Sequence, residues 1–439
     1  MATTEGGALG SGGDRMATLA VIGLDARHHR MLKDLGNDHG YDVRRLLSYR
    51  RVRKARRYDL DELLDAARRE LGNDTVDGIT TYWDFPSSCL APILAEERGL
   101  PTPGLRATVM FEHKLWSRQL QQEVAPDATP PFAGVDVFDD RVLEHRPLPF
   151  PFWLKPVKSA SSHLSFHVGS DHDFAEATDQ LRRGIGRLGA PFHQALQRCP
   201  DVPDDLMARG GCAAIAEGGL DGEQCTLEGY VHDGTVRVHG IFDIHRGADG
   251  STFTDYRYPS RMPERARTRM QDIATTLMEH AGYGDAAFNI EFFHEPGTDR
   301  TTILEVNPRI SQEHSELMLW VDDTTNLQVM ADVALGWAPR LHPGRGPATV
   351  AGKFFLRRAD DGVVVRVPSE REIADLEERF APAAIELIVD EGERLSEVPE
   401  QEPYSYLYGY LYLGADEEPD LARRAAELEQ ELDVRFSED

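Results

Sequence analysis

Two apolar segments in the second half of the chain carry acidic and amide side chains at alternate positions. Residues 287–293 read AFNIEFF, and residues 301–307 read TTILEVN. Because successive side chains of a strand point to opposite faces, Asn289 shares a face with Glu291, and Glu305 shares a face with Asn307. The connector HEPGTDR is typical of a turn, which predicts an antiparallel hairpin with Glu291 beside Glu305.

Two carboxylates on one buried face repel each other unless a cation neutralises them. The strongly apolar flanking residues argue against the alternative, a solvated hairpin whose acids only face water. Mg²⁺ prefers carboxylate and amide oxygens, so we predict a magnesium site, with Mn²⁺ as an alternative, at Glu291, Glu305 and Asn307. Arg309 follows Pro308 at the strand end, where its charge can stabilise a phosphoryl or acyl-phosphate transition state.

Upstream segments offer groups for binding phosphate. In WLKPVKSASSHLSFHV, a predicted strand delivers Lys155 and Lys158 to a serine-rich loop, and such loops can cradle phosphates. A flexible surface turn is an equally good interpretation of this segment alone. Lys114 lies on a predicted helix, where a lone lysine is more often simply solvated. Glu217 closes a strand before a run of small residues, where an adenine amino group could donate to a backbone carbonyl or to Glu217.

The chain divides at changes of pattern. From residue 16 to 104, strands alternate with helices such as Leu60–Leu71, which predicts a parallel sheet covered by helices. A helix is predicted at Thr108–Gln122, then a connector at 124–150. Another helix is predicted at Met262–His280, and strands and helices alternate again from about residue 348. The first 15 residues, rich in Gly, Ala, Ser and Thr, are predicted to be a disordered leader.

Composition limits the partners. The chain has 75 acidic and 48 basic residues, and a net charge of −27 repels nucleic acids and anionic membranes. The apolar runs are short, so no membrane span is predicted. Four scattered cysteines without a C-x-x-C pair are typical of a reduced cytoplasmic protein without a structural zinc site.

In this order, the segments resemble the ATP-grasp superfamily, and the E…E-x-N-P-R pattern is the specific part of the resemblance. The resemblance implies an α/β fold with a Rossmann-like parallel-sheet domain at 16–104, an ATP-grasp domain at 105–345 and a C-terminal α/β unit at 346–439. It divides the middle domain into an ATP lobe at about 150–240 and a metal and catalytic lobe at about 241–345. The C-terminal unit resembles that of amino-acid-ligase-like members.

The resemblance also implies a reaction: ATP phosphorylates a carboxylate, an amine attacks the acyl phosphate, and ADP and phosphate leave. Small-molecule carboxylates and amines are the expected substrates, and a homodimer is left open. Arg309 resembles the arginine that steadies the acyl phosphate, and Glu291, Glu305 and Asn307 resemble the magnesium ligands. The residues that resemble ATP contacts are Lys114, Lys155, Ser161, Ser162, His163, Glu217, Leu220 and Gln224.

Several assignments stay open at this point. Gln224 stands where the family often places a glutamate for the ribose, and the neighbouring Glu223 is the alternative. Arg261 is either a ligand for a substrate carboxylate or a surface arginine. His314 is either a general base or a surface residue at a helix start. Thioester-forming or carboxylating enzymes, and a regulatory protein that only binds nucleotide, are the competing functions.

Overall fold

The N-terminal unit is built on the predicted parallel sheet. The computed structural model of the protein describes residues 15–159, 163–247, 252–398 and 405–437. The sheet has the strand order Tyr41–Leu46, Ala17–Ile22, Gly78–Thr80. The helices around it are Ala26–His39, Tyr49–Arg53, Leu60–Leu71 and Ser87–Glu96. Helix Leu60–Leu71 has the predicted bounds, and the Asp59 carboxylate accepts a hydrogen bond from the Glu62 N–H at its start.

The helix predicted at Thr108–Gln122 is two helices, Leu105–Glu112 and Lys114–Val124. His113 separates them with an extended backbone, and its ring accepts a hydrogen bond from the Trp116 N–H at 3.2 Å. The break makes Lys114 the first residue of the second helix. The periodicity of the apolar residues continues across His113, so the sequence pattern did not reveal the break.

A small antiparallel sheet follows. Its strand order is Phe132–Val135, Ala214–Gly218, Phe152–Pro156, Phe166–Val168. The helices Asp171–Gly184, Gly186–Arg198 and Asp204–Arg209 lie between these strands in sequence. The interpretation of 124–150 as a connector was wrong at Phe132–Val135, which is a strand because Ala214–Gly218 offers it an edge to pair with.

A large sheet of eight antiparallel strands forms the rest of the frame. Its order is Arg300–Asn307, Ala286–Glu295, Glu223–His232, Thr235–Arg246, Phe253–Tyr258, Val350–Arg358, Tyr406–Ala415, Ala383–Leu387. Its helices are Glu264–Ala281, Ser315–Asp322, Asn326–Ala334, Glu370–Arg379 and Glu418–Glu431. Strands Val363–Arg366 and Arg435–Ser437 pair separately. Short 3₁₀ helices occupy Pro126–Ala128, Val142–Glu144, Gln312–His314 and Leu395–Glu397.

The large sheet crosses two of the predicted domain boundaries. The boundary near residue 240 falls inside strand Thr235–Arg246, which pairs with strand Glu223–His232 on one side and Phe253–Tyr258 on the other. The strands after residue 346 extend the same sheet, because Val350–Arg358 pairs with Phe253–Tyr258. Pairings between strands so far apart in sequence leave no signature in local periodicity, so a change of sequence pattern here is not a change of sheet.

The large sheet has one apolar face and one polar face beside its first strands. Ile290, Phe292 and Ile303 are fully buried in a core that includes Met270 and Ile273 of helix Glu264–Ala281. Glu291 stands between Ile290 and Phe292, so strand alternation sends it to the opposite face. Leu304 is an extra, bulged residue between Ile303 and Glu305, and this bulge places Glu305 opposite Glu291 on that same face. No helix among the described residues has the length and apolarity that crossing a membrane requires.

Candidate active site

The segment Ala286–Asn307 forms the predicted antiparallel hairpin, called here the metal hairpin. Glu291 lies opposite Glu305, and Asn289 lies opposite Asn307. A bulge follows Glu291, and the pairing resumes with Phe292 opposite Ile303. The expected neighbourhood of Glu291 and Glu305 is confirmed, and the bulge at Leu304 produces it: without the bulge, the register of the turn end would place Glu291 opposite Leu304. Two carboxylates and an amide come together on one face.

The two carboxylates differ in their surroundings. Glu291 Oε1 accepts a hydrogen bond from Asn307 Nδ2 at 3.3 Å, and Oε2 accepts one from Gln224 Nε2 at 3.1 Å. Burial and the charge of Glu305 raise the pKa of Glu291 above its usual value. Negative charge at this point is therefore only partly compensated by the protein.

The negative charge of the Glu305 carboxylate is compensated by lysine side chains. Lys114 Nζ lies 2.5 Å from Glu305 Oε1. Burial opposes ionisation of Glu305, but the charges of Lys114, Lys155 and Lys158 outweigh it, so its pKa lies below the usual value. Two carboxylates and one amide oxygen are hard oxygen donors that fit Mg²⁺, and a divalent cation would relieve the repulsion that Glu291 experiences.

A buried cluster of charges lies beside the metal hairpin. Glu217 binds Lys155 through one carboxylate oxygen and Arg118 Nε, at 2.6 Å, through the other. Burial opposes its ionisation, but the two cations lower the pKa of Glu217 to about 2. Lys114, Arg118, Lys155, Glu217 and Glu305 line a single cleft.

Arg118 joins the two sheets and was not anticipated. It binds Glu217 of the small sheet and also donates to the carbonyl oxygens of Ile303, at 2.9 Å, and Leu304, at 2.7 Å. In the sequence it is one of many helical arginines. Its position four residues after Lys114 on the same helix was the available signal, since residues at this spacing share a helix face.

The other predicted nucleotide contacts are dispersed around this cleft. Gln224 lies in the large sheet, where its side-chain oxygen accepts hydrogen bonds from Arg246 Nε at 2.9 Å and Nη2 at 2.6 Å. Glu223 is exposed, Leu220 is half-buried and His163 is exposed. Ser161 and Ser162 lie outside the described residues. The ribose contact of Gln224 and the adenine contact near Glu217 stay predictions.

Arg309 points back toward the N-terminal unit. Its Nε donates to Asp84 Oδ1 at 2.8 Å, and its Nη2 donates to Asn307 Oδ1 at 3.3 Å. Burial opposes ionisation of Asp84, but Arg309 and Lys158 hold its pKa well below the usual range. Asp84, which follows the third strand of the first sheet, was not singled out in the sequence, although an acid just past the carboxyl end of a parallel strand was a usable signal.

The structure also separates the remaining candidates. Lys158 forms a buried ion pair with Glu112. The side chain of Arg261 is 66% exposed and pairs with Glu418 at 2.7 Å, as the interpretation as a surface arginine expects. His314 is not a surface residue: its Nδ1 lies 2.7 Å from Glu228 Oε1, and its ring stacks on Phe242.

Comparison with known proteins supports the fold. Residues 258–331 match a family model described as the carbamoyl-phosphate synthase L chain, ATP binding domain. No curated protein sequence matches the chain.

Solved structures match along almost the whole chain. An L-amino acid ligase from Bacillus licheniformis superposes with a TM-score of 0.74 at 17% identity, over 96% of this chain and 99% of that one. The N5-carboxyaminoimidazole ribonucleotide synthetase from Thermus thermophilus superposes with a TM-score of 0.64 at 16% identity, over 96% of this chain and 100% of that one. A biotin carboxylase from Campylobacter jejuni superposes with a TM-score of 0.61 at 15% identity, over 96% of this chain and 92% of that one. The fold that the resemblance implied is thus confirmed: the chain has the ATP-grasp fold.

Proposed function

We propose that this protein is an ADP-forming ligase that uses ATP to phosphorylate a carboxylate and then couples the acyl group to an amine. The observation that carries the proposal is the register of Glu291 with Glu305, with Lys114 on the second carboxylate. Two carboxylates beside lysine side chains are suited to hold a divalent cation together with a nucleoside triphosphate.

Glu291, Glu305 and Asn307 would hold Mg²⁺, or Mn²⁺, and the ion would neutralise charge on the phosphate oxygens. Lys114 and Lys155 exchange their carboxylate partners for ATP phosphates when the nucleotide binds. The loop residues Ser161, Ser162 and His163 cover the phosphates. Glu217, Leu220 and Gln224 border the nucleoside.

The chemistry has two steps. A substrate carboxylate oxygen attacks the γ-phosphorus and ADP leaves; the amine nitrogen then attacks the carbonyl carbon, phosphate leaves and the amine loses its proton. Arg309 stabilises the negative charge of the acyl phosphate, and the hydrogen bond from its Nε to Asp84 keeps its guanidinium oriented.

The test is nucleotide analysis during turnover. The protein is incubated with Mg²⁺-ATP, a panel of amino acids and other carboxylic acids, and hydroxylamine, which traps an acyl phosphate as a hydroxamate. We expect carboxylate-dependent ADP, phosphate and hydroxamate. Release of AMP would contradict the proposal, and tight Mg²⁺-ATP binding without turnover of any acid would favour a regulatory protein instead.

A further inference from the structure

Lys353 is a buried cation on the same face of the large sheet as the metal carboxylates. It lies opposite Tyr256 on one neighbouring strand and Tyr412 on the other, and Tyr256 in turn lies opposite Ile244, which lies opposite Gln224. Opposed residues share a face, so this row runs across the sheet from Gln224, which binds Glu291, to Lys353.

Aromatic rings surround the Lys353 ammonium. Its Nζ lies 3.7 Å from the ring centre of Tyr410 and 4.9 Å from that of Phe355, and the residue is 1% exposed. Ring faces attract a cation, but they do not neutralise its charge. Lys353 therefore requires an anion, and Glu313 supplies it, with Oε2 at 2.9 Å from Nζ.

Glu313 is the unusual member of this pair. Its side chain is 31% exposed, whereas in the buried pair of Lys158 and Glu112 both side chains are nearly inaccessible, at 4% and 2%. Within the described parts of the chain, Glu313 Oε1 accepts no hydrogen bond, and Lys353 is the only cation that forms an ion pair with this carboxylate. A pair that served only packing would enclose both members, as Lys158 and Glu112 are enclosed.

Glu313 also lies close to the reacting groups. It belongs to the 3₁₀ turn Gln312–His314 that follows Arg309. Burial opposes its ionisation, but Lys353, His314 and Arg309 lower its pKa below the usual value. The Tyr256 hydroxyl is affected by the charges of both Glu313 and Glu291, which raise its pKa along with burial. Glu313 is thus an ionised carboxylate on the metal-hairpin side of the sheet.

We propose that Glu313 binds the ammonium group of the incoming amine through its open oxygen, while Lys353 and its aromatic rings hold the other oxygen in place; the bound ammonium releases one proton to solvent before its nitrogen attacks the acyl phosphate. The inference rests on the proposed ligase function and names the residue that recognises its second substrate. An ammonium group carries three donors and pairs well with a carboxylate that has free lone pairs. Glu313 acts here in binding, and Lys353 is a positioning residue.

The variant E313Q tests this assignment against a matched control. E316Q removes a neighbouring glutamate charge that is also paired with a cation, Arg27 at 2.5 Å, but Glu316 is 7% exposed. Two kinds of acceptor are compared in the ligase reaction: hydroxylamine, which is largely uncharged at neutral pH, and the cationic primary amines methylamine and L-alaninamide.

We expect E313Q to keep hydroxamate formation while the KM for the cationic amines rises about ten- to a hundredfold, the effect of losing one hydrogen bond to a charged group. E316Q should change neither the rate of hydroxamate formation nor the KM for the cationic amines. Because E313Q leaves Lys353 without its anion, the double variant E313Q/K353M is measured too; it removes both charges and should restore stability without restoring amine binding.

Each other outcome has a distinct meaning. An unchanged KM for the amines in E313Q, equal losses in E313Q and E316Q, or amine binding restored in the double variant would each contradict the role of Glu313. Hydroxamate formation by the wild-type protein without turnover of any cationic amine would contradict it as well, and would leave the ATP chemistry standing. No ADP release by the wild-type protein with any acid would contradict the proposed function and this inference with it.

Discussion

Lys114 Nζ lies 2.5 Å from Glu305 Oε1, so the helix that starts after His113 contacts the second strand of the metal hairpin. The same helix carries Arg118, which binds Glu217 of the small sheet. Groups from the two sheets thus meet through a single helix. Lys114 and Lys155 already have carboxylate partners. In the proposed function, an ATP phosphate displaces those partners, which would link phosphate binding by the lysines to metal binding by Glu305.

Arg118 is expected to be important for stability. The variant R118M leaves Glu217 buried with only Lys155 as a partner and leaves the carbonyl oxygens of Ile303 and Leu304 without their donors. We expect the free energy of unfolding to fall by about 3–5 kcal/mol, the usual effect of breaking a buried ion pair. Urea denaturation followed by circular dichroism measures it.

The control for this variant is R183M. Arg183 pairs with Asp179 one helical turn away, and both side chains are largely exposed. Exposed pairs contribute little, so the change should stay below about 0.5 kcal/mol. Equal effects of R118M and R183M would show that the contacts of Arg118 between the sheets do not stabilise the fold.

Arg309 and Asp84 are expected to differ in how they affect turnover. R309M removes the charge that we propose stabilises the acyl phosphate, so kcat for ADP release should fall by about a hundredfold or more, with little change in the KM for ATP. D84N keeps Arg309 but weakens the contact at Nε, so kcat should fall by about tenfold. Steady-state kinetics of both variants provide the comparison, and a larger loss in D84N than in R309M would contradict these roles.

Asp332 gives a prediction for pH dependence. It lies on helix Asn326–Ala334, where burial raises its pKa to about 7. A raised carboxyl pKa means that the folded state binds the proton more tightly than the unfolded state. Ionising the buried Asp332 lowers the free energy of unfolding. This loss of stability is absent below the pKa of the unfolded state, grows as pH rises and is complete above pH about 7.

The variant D332N avoids this loss of stability. It should be more stable than the wild-type protein by about 1–3 kcal/mol at pH 8, with the difference vanishing near pH 4. Thermal denaturation at both pH values tests this, and D272N, at an exposed helix position, is the control that should show no such pH dependence. A D332N variant less stable than the wild-type protein at pH 8 would contradict the sign.

The sequence predicted those features of the fold that depend on residues close together in the chain. Strand alternation grouped Asn289 with Glu291 and Glu305 with Asn307, and helical spacing gave the bounds of Leu60–Leu71, because both depend on residues close in sequence. The bulge at Leu304 that sets Glu291 opposite Glu305 was not predicted. Arg118, Asp84 and the pair of Glu313 and Lys353 acquire their roles from contacts with distant segments. The same reason explains why the strands after residue 346 were not assigned to the large sheet.

Glu305 is the proposed ligand of the catalytic metal, and the variant E305Q tests this assignment directly. It keeps the shape of the side chain and removes the charge that Lys114 and the cation share. E295Q, at the turn end of the same hairpin, is the control that should retain turnover. The measurement is carboxylate-dependent ADP release by the folded variant, with folding checked by circular dichroism. We predict that E305Q releases no ADP while retaining the wild-type spectrum, and ADP release at the wild-type rate would contradict the assignment of the metal site.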